Sequence, residues 1–194
     1  LAQTSIQNVD IREIFRENTD MQLYYRTDHH WTTQAARLAF DPLAKSMGLE
    51  PEKTAFERIP VSDDFVGTLA AKSGFDTNQK DTIAIYTPED GLDVVVTYVE
   101  EQKKTGTFYN KEKLDTKDQY AMFLDGNHAE IHVQTPAAQD RRLLVLKDSY
   151  ANCMIPFLAP YYRKIVVMDP RYYYGNLQEL IQVEEIDQIL FLYN

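Results

Sequence analysis

The carboxyl-terminal third of the chain constrains the fold most. Three apolar runs of strand length stand there: "RLLVLK" (142–147), "KIVVMD" (164–169) and "DQILFLYN" (187–194). Between the first two, "SYANCMIPFLAPYY" reads as a turn into a short helix, and "GNLQELIQVEE" (175–185) reads as a helix before the third. Strand–helix–strand–helix–strand with continuous apolar strands predicts an α/β fold. Helical crossovers lie on the sheet faces, so neither face of a parallel strand meets water.

The pattern upstream is less regular. Residues 5–18 read as a short helix with Ile6, Val9, Ile14 and Phe15 as its apolar side. "MQLYY" (21–25) reads as a strand. Thr32 or Thr33 can cap a following helix, in which Ala35, Ala36, Leu38, Ala39, Leu43 and Met47 keep a 3.6 period and Gly48 marks the end. Pro42 is expected to kink that helix or split it. Residues 62–80 read as a loop-rich stretch. "TIAIY" (82–86), "LDVVVTYVE" (92–100) and "GTFYN" (106–110) read as strands of an antiparallel insertion or edge. The expectation is a single domain over 1–194 with a β-rich insertion at about 60–135, and no internal repeat.

Composition excludes some classes. With 44% hydrophobic and 12% aromatic residues, 194 residues suffice for a core and argue against disorder. A formal charge of -10, with no cluster of Lys and Arg, argues against a nucleic-acid partner. Cys153 is the only cysteine, so no intrachain disulfide can form. No apolar run reaches the length of about 18 residues that a membrane span needs, and no signal peptide is visible. The chain opens on Leu1, which suggests a processed product or a piece of a longer chain whose remainder could carry a membrane anchor.

The chemistry concentrates in two places. "YYRTDHHWTTQAARLAF" (24–40) puts Asp28, His29, His30 and Trp31 side by side and uses two of the four histidines. Far downstream, Ser149 follows the strand at 142–147 and opens a helix. In open α/β sheets ligands bind beyond the carboxyl ends of strands. A serine there exposes its hydroxyl, and N–H donors at a helix start can hold an oxyanion. Its hydroxyl needs a base within hydrogen-bond reach and an acid to orient that base. A histidine and Asp28 supply these types, though the residues alone do not choose between His29 and His30. A crowded polar turn with a capping serine is the plain alternative. A metal site would draw on His29, His30, His128 and His132. However, "AEIHVQT" alternates like a strand, which would set His128 and His132 roughly 13 Å apart, so no metal is expected.

"TDHHWT" followed by "LLVLKDSYANCMIPFLAPYY" and "VVMDPRYY" resembles the bacterial DHHW proteins. These are similar to alginate O-acetylation proteins of the SGNH-hydrolase-like group. The resemblance spans roughly 20–194 and implies a three-layer SGNH-like sandwich with a mostly parallel sheet. Position by position it makes Asp28 the orienting acid, His30 the base and Ser149 the nucleophile, with His29 in the unconstrained middle position. It also puts "LDGNH" (124–128) near the pocket, with Asn127 a candidate oxyanion donor and Tyr150 and Trp31 candidate substrate contacts. The implied function is serine-dependent acyl-ester chemistry, as an O-acetyltransferase or acetylesterase acting on an extracellular or cell-envelope polysaccharide. An acetylated glycan and a membrane-bound acyl-donor protein are the implied partners, and no cofactor is expected. One position departs: the SGNH motif Gly-Asp-Ser is Lys147-Asp148-Ser149 here, which removes backbone freedom beside the nucleophile. That departure supports a rival, a non-catalytic glycan-binding or assembly module with a relict triad.

Trp31 reads as a wall or core residue before a sugar-stacking one. Tyr161, Tyr162, Tyr172, Tyr173 and Tyr174 either line a carbohydrate cleft or cover a sheet edge. Cys153, four residues after Ser149, reads as a small apolar core residue.

Overall fold

The computed structural model describes residues 6–74 and 78–194. The first residue of the helix expected over 5–18, and the middle of the loop expected over 62–80, lie outside the described residues. The elements are α1 (Arg12–Glu17), α2 (Thr33–Ser46), β1 (Phe56–Phe65), α3 (Thr68–Ser73), β2 (Asp81–Pro88), β3 (Val95–Tyr98), β4 (Lys103–Thr105), β5 (Glu130–Gln134), β6 (Arg142–Lys147), α4 (Ile155–Leu158), β7 (Lys164–Met168), α5 (Leu177–Val183) and β8 (Gln188–Leu192).

Six strands form one sheet in the order β4-β3-β5-β7-β6-β8. β7, β6 and β8 run parallel, while β4, β3 and β5 pair antiparallel down to β7. The sheet is therefore mixed rather than mostly parallel. A parallel neighbour needs a crossover of a dozen or more residues. Among the described strands, helices cross only between β6 and β7 and between β7 and β8.

Burial follows pairing. In β6, Leu143 and Val145 enter the main core, and Leu144 and Leu146 enter a second cluster on the opposite face under Leu180 of α5. β7 divides likewise into Ile165 and Val167 against Val166 and Met168. In β5 only Ile131 and Val133 are buried, and Glu130 and His132 face outward half-buried. One face of the antiparallel half is thus left polar, as its alternating sequence requires.

The region read as an insertion divides in two. β1 and β2 form a separate antiparallel ribbon with register shifts at Pro60–Ser62 and Ser62–Phe65, whereas β3 to β5 extend the main sheet. β1 was not expected, and it occupies the start of the loop-rich stretch. "GTFYN" is not a strand: Tyr109 makes an isolated bridge to Phe123. "MQLYY" likewise makes a single bridge, Tyr24 to Trp31. Its continuation cannot form a ladder, because Asp81 Oδ1 and Oδ2 take the backbone N–H groups of Arg26 and Thr27. The expected helix over 5–18 is shorter at α1, with Ile6 and Val9 ahead of it. α2 runs unbroken through Pro42, and its cap is Thr32, whose hydroxyl accepts from the N–H of Ala35 at 3.2 Å. No helix among the described residues is long and apolar enough to cross a membrane.

Candidate active site

The Asp28–His30 turn is held by side chains distant in sequence. Buried Asp81 accepts from Gln22 Nε2 (2.6 Å), the N–H groups of Arg26 (3.1 Å) and Thr27 (2.9 Å), and Thr27 Oγ1 (2.7 Å). Four donors on one carboxylate favour its charged form over burial, so Asp81 sits below the usual carboxylate range. Trp31 Nε1–H donates to the Tyr150 carbonyl at 2.9 Å, and the Tyr150 hydroxyl donates to the His29 carbonyl. These two bonds brace the turn directly against the residue that follows Ser149.

In that frame Asp28, His30 and Ser149 form one hydrogen-bonded line. Asp28 Oδ1 pairs with His30 Nδ1 and also accepts the His30 backbone N–H at 3.0 Å. Asp28 Oδ2 accepts from Thr68 N–H at 2.7 Å and Thr68 Oγ1 at 3.1 Å. Burial raises the Asp28 pKa, but the bonds from His30 and Thr68 prevail and hold it well below the usual range. His30 Nε2 lies 2.7 Å from Ser149 Oγ. With Nδ1 on a carboxylate, the neutral ring carries its proton there and leaves Nε2 free to accept. Tyr120 lies flat on the His30 ring, with centroids 3.6 Å apart and planes 6° apart.

His29 stands outside the line. Its side chain is 45% exposed, and Nδ1 lies 3.1 Å from Thr68 Oγ1. Partial burial and the neighbouring His30 lower its pKa. Asp28, His29 and His30 offer three donor atoms within 4.8 Å of one another. Both ring nitrogens of His30 are already committed, to Asp28 and to Ser149. His128 and His132 pair separately, with Glu101 and Glu130.

Ser149 is half-buried and opens a 3-10 turn, Ser149–Cys153, capped by Asp148 Oδ1 accepting the Tyr150 N–H at 2.9 Å. Asn127 is exposed, and its Oδ1 accepts from Lys147 Nζ at 2.9 Å. Trp31 is 5% exposed, the wall position. It lines, with Tyr24, Tyr150, Met154, Leu190 and Leu192, a cavity of about 1140 Å³ that Ser149 and His30 do not reach. Cys153 is buried, and burial pushes its thiol up to about 11, unsuited to a nucleophile.

The five tyrosines do not share a cleft. Tyr161 and Tyr162 precede β7, and Tyr172, Tyr173 and Tyr174 follow it, so the two groups stand at opposite sheet ends. Tyr162 is fully buried and bonded to Gln188 Oε1. Asp81, Thr68, Tyr120 and Gly67, whose backbone lies against Asp28, were not anticipated. Each acts through a contact tens of residues away, and an acid in a strand of otherwise apolar pattern (Asp81) was the one local sign.

A family model described as DHHW protein matches residues 2–168. The chain belongs to the DHHW family. No curated protein matches it. Among solved structures, this DHHW protein is similar to a DHHW family protein from Eubacterium siraeum DSM 15702. The TM-score is 0.81 at 26% identity, over 98% of this chain and 65% of that one. Bacillus cereus PatB1 with a sulfonyl adduct gives a TM-score of 0.76 at 22% identity, over 96% and 66%. A second PatB1 structure gives 0.75 at 21% identity, over 95% and 67%. The chain thus spans about two thirds of the length of each.

Proposed function

We propose that this DHHW protein carries out serine-dependent acyl-ester chemistry, as an O-acetyltransferase or acetylesterase on an extracellular or cell-envelope polysaccharide. The observation that carries this reading is the 2.7 Å approach of His30 Nε2 to Ser149 Oγ, with Asp28 on the other ring nitrogen. Ser149 Oγ attacks the acetyl carbonyl as His30 takes its proton, and buried Asp28 stabilises the resulting imidazolium. The negative oxygen of the tetrahedral intermediate is held by the Ser149 N–H, which has no intrahelical acceptor at the start of its turn, and by the Asn127 side-chain N–H2. Collapse breaks the ester bond, and His30 returns the proton to the leaving alcohol. Water or a sugar hydroxyl then attacks the acetyl-serine, with His30 again as base. Water makes the protein an esterase, and a sugar hydroxyl makes it a transferase taking its acetyl group from a membrane-bound donor protein.

We read residues 1–194 as one SGNH-type unit. α2, α4 and the β1–β2 ribbon form one layer, the sheet a second and α5 a third, with the antiparallel strands as the β-rich addition. Support for the chemistry comes from family membership and from the PatB1 structure with a sulfonyl adduct, since sulfonyl reagents label activated hydroxyl nucleophiles. The deciding experiment is hydrolysis of p-nitrophenyl acetate by wild type and Ser149→Ala, with mass spectrometry for an acetyl or sulfonyl adduct. Turnover and an adduct lost in Ser149→Ala are expected. Neither signal from the wild type, with glycan binding intact, would replace this reading with a binding or assembly module.

A further inference from the structure

Lys147 ends β6 and sits two residues before Ser149, and its side chain is fully buried. A buried ammonium survives only among acceptors. Nζ donates to Asn127 Oδ1 at 2.9 Å and to Asn152 Oδ1 at 2.7 Å, and lies 4.0 Å from Asp169 Oδ2. Asp169 is itself engaged by Arg171 through Nε at 2.9 Å and Nη2 at 2.5 Å. Burial outweighs the Asp169 charge and brings Lys147 down to about 8. Asn152, three residues past Ser149, donates Nδ2 to the Gly126 carbonyl at 3.1 Å and reaches Asn127 Oδ1 at 3.4 Å.

Two donors therefore converge on one oxygen of Asn127. An ammonium has no acceptor, so the amide oxygen must face it; the flipped amide would set its N–H2 against a positive charge. Among the described residues no acceptor takes the Asn127 Nδ2 hydrogens. The turn that carries Asn127 has left-handed backbone at Leu124 (φ 56°), Asp125 (φ 57°) and Gly126 (φ 103°). It meets the nucleophile turn through Lys147 and Asn152, which flank Ser149 in sequence.

We propose that Lys147 is a positioning residue that clamps Asn127 by its Oδ1, so that the amide N–H2 is presented beside Ser149 as an oxyanion donor. This rests on the acyl-transfer reading above. The lysine occupies the place of a glycine in the SGNH motif, and it replaces backbone freedom with a side-chain clamp.

The test is turnover of p-nitrophenyl acetate by Lys147→Met, Asn127→Ala, their double variant and Ser149→Ala, each with its melting temperature. Asn127→Ala is expected to lose about 100- to 1000-fold in kcat and Lys147→Met most of that, with KM within about twofold. The double variant is expected to match Asn127→Ala alone, because the lysine acts only through the asparagine. Loss in Ser149→Ala with wild-type kcat in Lys147→Met, or losses that multiply in the double variant, would overturn the clamp and leave the acyl-transfer reading standing. Equal rates for wild type and Ser149→Ala, zero included, would remove that reading and Lys147's role with it. Should Lys147→Met not fold, Asn127→Asp keeps an oxygen for the lysine and deletes the N–H2. It is expected to be as slow as Asn127→Ala yet melt several degrees higher; melting no higher overturns the clamp.

Discussion

His30 Nε2 and Ser149 Oγ meet at 2.7 Å across 119 residues of chain. The meeting is braced on both sides, since Trp31 donates to the carbonyl of Tyr150 and Tyr150 donates to the carbonyl of His29. His29 itself points to Thr68. The two adjacent histidines should therefore differ sharply. His30→Ala is expected to lower ester turnover by about 10³-fold or more, and His29→Ala to retain much of the wild-type rate. Kinetics of the two purified variants with p-nitrophenyl acetate decide this, and the reverse order would sink the assignment.

Gly67 is required by space rather than by backbone angle. A Cβ there would lie 2.1 Å from Asp28 Cβ and 2.7 Å from Asp28 Cα. Neither neighbour can yield, because Thr27, Asp28 and Thr68 are tied together at this point. Gly67→Ala is expected to displace Asp28, to destabilise the fold by about 1–3 kcal/mol, and to lower kcat well beyond that loss of folded protein. Thermal melting alongside kcat checks it; a stable, fully active variant would show that the turn adapts.

Asp28 predicts an acid-dependent stability. Burial raises its pKa, but the bonds from His30 and Thr68 win and place the folded value below the ordinary 3.8. A depressed carboxylate stabilises the fold fully above its unfolded pKa, and that stability is lost as pH falls through the folded value. Wild type is expected to exceed Asp28→Asn by about 2–3 kcal/mol at neutral pH. The gap should close as pH falls below about 4. Urea titrations of both proteins from neutral to acid pH measure it, and a gap independent of pH would contradict the pairing.

Tyr120 holds the plane of the His30 ring. Its ring stacks on His30 at 3.6 Å and 6°. Tyr120→Phe keeps the ring and is expected to keep kcat within about threefold, a shift of well under 1 kcal/mol. Tyr120→Ala leaves a cavity costing about 3–5 kcal/mol and frees the imidazole, so kcat should fall more than KM rises. Equal kinetics for Tyr120→Ala and Tyr120→Phe in folded protein would remove the positioning role.

Local pattern was enough for several elements. The continuous apolar runs at 142–147 and 164–169 are β6 and β7, since a strand buried on both faces has no polar side to show. The period of Ala35, Ala36, Ala39 and Leu43 is the buried face of α2. Pro42 does not split α2: a proline inside a helix costs about 3 kcal/mol, which the packing of the buried face offsets. "MQLYY" and "GTFYN" have strand composition but no ladder, because pairing depends on a neighbour that composition does not name.

By itself the sequence determined which side chains are candidates: Asp28, one of the histidines His29 and His30, and Ser149, in two motifs whose residue types suit acid, base and nucleophile. It also determined the parallel half of the sheet, because periodicity and crossover length are local properties. Only the tertiary structure decided the rest. It joined β3 to β5 onto β7 as part of the main sheet, aimed His30 rather than His29 at Ser149, pressed Gly67 against Asp28 and closed Lys147 onto Asn127. Each of these is a contact between segments dozens of residues apart, and such contacts depend on how the chain packs, not on any stretch of it read alone.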